Sequence, residues 1–287
     1  MITRISEIGV AVRDIEKSGK MLVDILGAKS GEIFTSKEYN MKAEMFRIGN
    51  VDFELMEPMG DKGLISDFIR RQGEGLHHIA FQVDDIVKTI REMKSRGFRV
   101  IYEDPVVVDR FKATFLHPSS FGGVLFELIE DTELPLESEP QVPALGIGVE
   151  RILGIGILVE DLETAGRTYS EAFSAETSET LILNKGELKA RICHVGNVDL
   201  VLIEMPQCKS DSNRWLVGDK PGLYHIVMKV AVLDQAIEFL EKTGIDFVNK
   251  SEHLLGYSDS LFLELSELGG IPVVFKEKSI AMVPTFS

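Results

Sequence analysis

The chain has 287 residues, enough for one large or two ordinary domains, and its apolar (44%) and charged (27%) fractions are those of a packed globular protein, which argues against extended disorder. A formal net charge of −15 works against phosphate backbones and anionic lipid head groups, so nucleic acid and membrane are poor partners, while an acidic surface by itself mostly reports solubility and says little about a substrate. Residues 1–5 run straight into an alternating segment without a signal-peptide core, and no apolar run reaches bilayer length; a cytoplasmic protein with Cys193 and Cys208 as reduced thiols is expected.

In chain order, residues 5–12 alternate as a half-buried strand does, with Ile8, Val10 and Val12 on one face and Glu7, Gly9 and Ala11 on the other. Asp14 is placed to cap a helix carrying Ile15, Leu22, Ile25 and Leu26 and ending at Gly27. Strands are predicted at 31–34, 42–48 and 51–56, which completes a βαβββ unit. The pattern restarts at 76–83. Simple alternation there puts His78, Ala80 and Gln82 on one face and His77, Ile79, Phe81 and Val83 on the other, so that His77 reads as structural. Asp84 and Asp85 open a helix carrying Ile86, Ile90 and Met93, stopped near Gly97, and strands at 99–102, 113–116 and 124–129 close a second βαβββ unit. His117, ahead of Pro118, reads as a turn residue.

The whole pattern then repeats. Ile48-Gly49-Asn50-Val51-Asp52-Phe53 returns 147 residues later as Val195-Gly196-Asn197-Val198-Asp199-Leu200, and the same shift carries Asp14 to Asp161, His78 to His225, Gly97 to Gly244 and Phe115 to Phe262. The expected architecture is α+β: four βαβββ modules in two tandem domains, residues 1–131 and a degenerate copy at 151–279, joined by a linker at 132–150. Two open curled sheets per domain would each bury one face under helices and leave the other as a cup.

Four polar residues of the first copy fall at equivalent places: Glu7 and His78 on the first strand of each unit, Glu54 and Glu127 on the last. A carboxylate inside an apolar strand costs several kcal/mol unless it is paired, solvated or metal-bound, and a divalent cation satisfies all four together. Small neighbours such as Gly9 and Ala11 leave room for a ligand. In the second copy the three carboxylates become Gly154, Val201 and Val274, and only His78 keeps its type, as His225. That cup is expected to be metal-free and to serve the fold, an interface or a ligand pocket, with His225 a satisfied core or cavity residue.

The stretches Glu54-Leu55-Met56-Glu57-Pro58, Gly73-Glu74-Gly75-Leu76-His77-His78-Ile79-Ala80-Phe81, Val83-Asp84-Asp85-Ile86, Phe115-Leu116-His117-Pro118 and Gly122-Gly123-Val124-Leu125-Phe126-Glu127-Leu128 resemble methylmalonyl-CoA epimerase. This is a branch of the vicinal-oxygen-chelate superfamily (glyoxalase, bleomycin resistance and dioxygenase proteins), and the resemblance covers nearly all of residues 1–131. It implies metal ligands at Glu54, His78 and Glu127, with Glu7 standing where the family has its remaining ligand, a histidine. It also implies catalytic bases at Glu127 and Glu44 flanking the substrate α-carbon. One imidazole and up to three carboxylates make a hard donor set for a divalent metal (Mn, Co, Fe, Ni, Mg or Zn), tilted toward Mn, Fe, Co or Mg over Zn.

The activity implied is that of a metal-dependent lyase or isomerase acting through an enolate on a small oxygenated or acyl-CoA substrate. The alternatives are a non-catalytic small-molecule-binding protein of the same fold, or a dioxygenase, against which the missing histidine counts. Residues 107–112 replace a Gly/His-rich family loop; Arg110 and Lys112 there are either phosphate contacts or a solvated loop. The protein is expected to be a monomer or homodimer, because two tandem copies can pair within one chain as single-domain relatives pair in dimers.

Overall fold

The computed structural model describes residues 1–108, 111–131, 146–183, 188–205, 220–248, 257 and 259–280; most of the expected linker, Asp109, Arg110 and Cys208 lie outside the described residues. The first copy runs β1 (Ile2–Ala11), α1 (Ile15–Leu26), β2 (Lys29–Ser36), β3 (Met41–Ile48), β4 (Val51–Pro58), α2 (Leu64–Gln72), β5 (Gly75–Val83), α3 (Ile86–Ser95), β6 (Val106–Val108), β7 (Phe111–Leu116) and β8 (Leu125–Asp131). The second runs β9 (Val149–Val159), α4 (Leu162–Phe173), β10 (Glu176–Thr177), β11 (Leu181–Leu183), β12 (Leu188–Val195), β13 (Val198–Glu204), β14 (Gly222–Val230), α5 (Leu233–Thr243), β15 (Ser260–Leu265) and β16 (Ile271–Lys276). Asp14 and Asp85 cap α1 and α3 by accepting the N–H of Lys17 and Lys88, and Gly27 ends α1 in the left-handed conformation. Among the described residues no helix is long and apolar enough to cross a membrane.

Three expectations are corrected. The two modules of a copy do not form separate sheets: β1 pairs parallel with β4 and antiparallel with β5, giving one eight-stranded sheet in the order β2-β3-β4-β1-β5-β8-β7-β6. The first strands of both modules would otherwise present open edges, and joining them satisfies both. The second copy repeats this order as β10-β12-β13-β9-β14-β16-β15, with β11 added on β12. The strand expected at 99–102 shrinks to a single bridge between Val100 and Leu116; continuous pairing to β7 resumes only in β6, beyond Pro105, which has no N–H to donate. The nine-residue α2 was not expected, being too short for a persistent helical period, although Ile65 and Ile69 stand one turn apart and are buried.

One face of both sheets shares a single apolar core. It takes Leu22 and Leu26 from α1, Ile90 and Met93 from α3, Tyr169 and Phe173 from α4 and Leu240 from α5. Phe81, Phe121 and Phe126 of the first copy pack on Tyr169 and Phe173 of the second, with ring centroids 4.8–5.8 Å apart.

The repeated Gly-Asn turn has a role in this union. Asn50 Oδ1 accepts the Ile152 N–H of β9 at 2.7 Å, and Asn197 Oδ1 accepts the Ile5 N–H of β1 at 2.8 Å. Each asparagine therefore satisfies a backbone donor in the first strand of the opposite copy. The preceding Gly49 and Gly196 have positive φ and lie so close to that strand that a Cβ would fall 2.5 Å from Arg151 Cα and 2.8 Å from Arg4 Cα.

Candidate metal centre

The outer face of the first sheet holds the polar cluster. Register places Glu7, Gly9 and Ala11 of β1 beside Asp52, Glu54 and Met56 of β4, and Glu7 and Gly9 opposite Ala80 and His78 of β5. Glu127 of β8 lies beside Ala80. The Nε2 of His78 is 3.3 Å from Glu127 Oε2, 3.6 Å from Glu7 Oε1 and 3.7 Å from Glu54 Oε2, yet among the described residues this buried atom has no hydrogen-bond partner. Glu7, Glu54 and His78 each offer a ligand atom within 4.8 Å of the others, and Glu127 joins through its approach to His78.

Gly9 explains how the ring gets there. The space that leaves room for a ligand in the sequence pattern is filled by His78 itself, since a Cβ on Gly9 would lie 2.1 Å from His78 Cε1.

The charges are unbalanced. Burial, reinforced by Glu7 and Glu127 and opposed by His78, pushes the Glu54 carboxyl up to about 8. Burial also raises Glu127, with contact to His78 pulling the other way and Glu7 adding to the rise. Burial disfavours a charged His78, but contact with Glu127 and Glu7 and the charges of Glu127 and Glu54 overcome it and lift the imidazole to about 10. Among the described residues no lysine or arginine pairs with Glu7, Glu54 or Glu127.

The donors fit a divalent cation. Ligands at about 2.1 Å in octahedral geometry stand roughly 3 Å apart when adjacent and about 4 Å when opposed, which is the scale of this cluster. A cation also supplies a partner for the Nε2 of His78 and further positive charge beside three carboxylates, of which Glu127 is buried and Glu7 and Glu54 are partly buried.

Glu44 is not brought into the cluster, which corrects its expected place as a base. It stands opposite Leu55 in the β3–β4 ladder while Glu54 stands opposite Met45, and adjacent residues of a strand face opposite sides. Glu44 therefore shares the helix side of the sheet with Phe46, whose ring meets Gly19 of α1. Its repeat equivalent agrees: Arg191 packs against Gly166 of α4 and bonds Glu163. Burial alone raises the Glu44 carboxyl.

His77 is corrected in the opposite sense. Gly9 pairs with His78 but Val10 pairs with Leu76, so β5 carries one extra residue at His77, and this bulge turns both histidines to the same side. The Nδ1 atoms of His77 and His78 are 3.0 Å apart, their rings are nearly perpendicular, and Phe68 of α2 meets the His77 ring at 4.7 Å. Burial, then the charge of His78, push His77 down to about 3. Two adjacent histidines at a strand start were the available signal; strict alternation hid it.

His117 behaves as a turn residue, its Nδ1 accepting the Ser119 N–H at 3.1 Å. Lys112 is engaged by Glu130 at 2.6 Å, and Arg110 lies outside the described residues.

The second cup is filled. Val201, Val274, Ile203, Val227, Tyr257 and Phe262 form a separate apolar cluster on the outer face of that sheet, and Ile280 reaches back so that its Cδ1 lies 2.4 Å from where a Gly154 side chain would begin. His225 is fully buried, bonds the Tyr257 hydroxyl through Nε2 at 3.0 Å, and is held down at about 3 by burial.

The fold and site define a tandem α+β protein with, among the described residues, one carboxylate-rich candidate metal centre in the first copy and an apolar cluster at the equivalent place in the second. The family described as the Glyoxalase/Bleomycin resistance protein/Dioxygenase superfamily matches residues 6–115 and 154–256, and the chain belongs to it. The N-terminal half is similar to mitochondrial methylmalonyl-CoA epimerase of Bos taurus, 33% identical over 127 residues that make up 44% of this chain and 73% of the relative. It is also similar to the ethylmalonyl-CoA/methylmalonyl-CoA epimerase of Cereibacter sphaeroides, 30% identical over 131 residues, 45% of this chain and 98% of the relative. A mutant of 4-hydroxymandelate synthase from Streptomyces coelicolor has the same fold over both halves, with a TM-score of 0.75 at 15% identity, covering 98% of this chain and 94% of that one.

Proposed function

We propose that this chain is a metal-dependent lyase or isomerase that works through an enolate of a small oxygenated or acyl-CoA substrate, with residues 1–131 as the reacting domain and 151–279 as its scaffold. The observation that carries the reading is the unpartnered Nε2 of His78 facing three carboxylates. Glu7, Glu54, His78 and Glu127 would hold a divalent cation. When bound, the cation supplies the positive charge that makes an enolate accessible from a weakly acidic α-carbon. The acyl-CoA class comes from the epimerase relatives, which are named for such substrates.

Glu127 is the base in this reading. Its raised proton affinity suits a carboxylate that must take an α-proton and return it. With Glu44 on the other side of the sheet, bases on both faces of the substrate are not available from this pair.

Elemental analysis of the purified protein beside its Glu127→Ala variant tests the site: about one divalent ion per chain, lost in the variant, is the expected result. Exchange of α-protons for deuterium in acyl-thioesters and hemithioacetals then tests the chemistry. Absence of metal from both proteins, after loading with Mn, Co, Ni and Zn, overturns the reading and leaves a non-catalytic binding protein.

A further inference from the structure

His78 has two ring nitrogens with different surroundings. Nε2 faces Glu7, Glu54 and Glu127 without a hydrogen bond, while Nδ1 lies 3.0 Å from Nδ1 of His77. Only one of the two Nδ1 atoms can carry the shared proton. If His78 is to offer a lone pair at Nε2, its own proton must sit on Nδ1, and His77 must accept it.

We propose that His77 is a positioning residue for the metal centre: through Nδ1 it accepts the Nδ1–H of His78 and so holds that ring in the tautomer whose bare Nε2 points at the three carboxylates. This rests on the metal-centre reading above and extends it to a residue that contacts no carboxylate of the cluster. Ligating histidines are ordinarily oriented by a carboxylate, backbone carbonyl or water at the second nitrogen; here a neighbouring imidazole fills that place. It can do so because the β5 bulge turns two consecutive side chains to one side and Phe68 of α2 packs edge-on against the outer ring.

The second copy is the internal control. The position equivalent to His77 is Tyr224, displaced by the same irregularity in strand register between Leu223 and His225. There the Nδ1 of His225 is buried without a hydrogen-bond partner among the described residues, and Nε2 is the bonded nitrogen, to Tyr257. The copy that lacks the carboxylates thus also lacks the imidazole behind the histidine, and its ring is bonded the other way round.

The test compares His77→Tyr, a residue this fold accepts at the equivalent place, with His77→Asn, whose side-chain oxygen can still accept from Nδ1–H. Dissociation constants for Mn(II) and Co(II) are measured by calorimetry, with the visible spectrum of the Co(II) form as a second readout. His77→Tyr is expected to bind 10- to 100-fold more weakly than the parent, the usual loss on removing such a partner, with an altered Co(II) spectrum. His77→Asn is expected to recover most of the affinity. Parent-like affinity and spectrum in His77→Tyr would overturn the positioning role while leaving the metal centre standing. Failure of the parent protein itself to bind either ion would overturn both.

Discussion

Gly9 and Glu44 lead to two predictions at the scale of single residues. A methyl group on Gly9 collides with the His78 ring, so Gly9→Ala must displace either the ring or β1. We expect a stability loss of about 1–3 kcal/mol, typical of overpacking, together with loss of metal, read by chemical denaturation and elemental analysis. Alanine-for-glycine effects confined to stability, with metal retained, would show that the ring has another place to go. Glu44 and Glu127 separate by face rather than by chemistry. Glu44→Gln is expected to keep metal and to leave deuterium exchange within roughly threefold of the parent, whereas Glu127→Gln should lose exchange by the 100-fold or more expected on removing a general base. Equal losses would return Glu44 to the site. The four cluster residues were legible as polar interruptions of apolar strands, but Glu44 was not legible as an outsider. Its environment follows from the register of β3 on β4, and a shift of one residue exchanges the two faces.

Among the elements, β5 and β14 show how one bulge redirects chemistry. Both strands start with a ring pair, His77–His78 and Tyr224–His225, and in both the extra residue brings the rings into T-shaped contact. Period-two alternation predicts the reverse for His77, because a bulge is a property of a pair of strands and has no fixed signature in one of them. The filled cup above β14 also makes a pH prediction. His225 is held at about 3 in the folded chain by burial, below the ordinary imidazole value near 6.5. Between those values the unfolded chain binds a proton that the folded chain does not. The stabilisation is therefore complete above pH 6.5 and is lost as pH falls toward 3, with a slope of up to about 1.4 kcal/mol per pH unit from this group. Urea unfolding from pH 7 to 4.5 should show a shallower decline in His225→Gln than in the parent; identical slopes would mean that His225 is protonated in the folded state.

Across the whole molecule, the halves share one core, so they should not melt separately. A single calorimetric transition is expected, and residues 1–131 expressed alone, with Phe81, Phe121 and Phe126 deprived of Tyr169 and Phe173, should aggregate or remain partly unfolded; two resolved transitions would contradict this. Asn50→Ala removes the acceptor for the buried Ile152 N–H and is expected to cost about 1–3 kcal/mol, the penalty for an unsatisfied buried donor. Asn197→Ala tests the reciprocal contact at Ile5.

The sequence by itself determined the α+β repeat, the caps at Asp14 and Asp85, and the strand positions of Glu7, Glu54, His78 and Glu127. It also showed the loss of all three carboxylates from the second copy. These follow from local periodicity and from a comparison that the chain carries within itself. Tertiary structure alone decided that two modules merge into one sheet, that Glu44 faces away, that His77 faces in, that α2 packs beside the cup and that the second cup is packed shut. Each of these depends on which strand edges meet and in what register, and such long-range pairing is set by the closure of the whole fold.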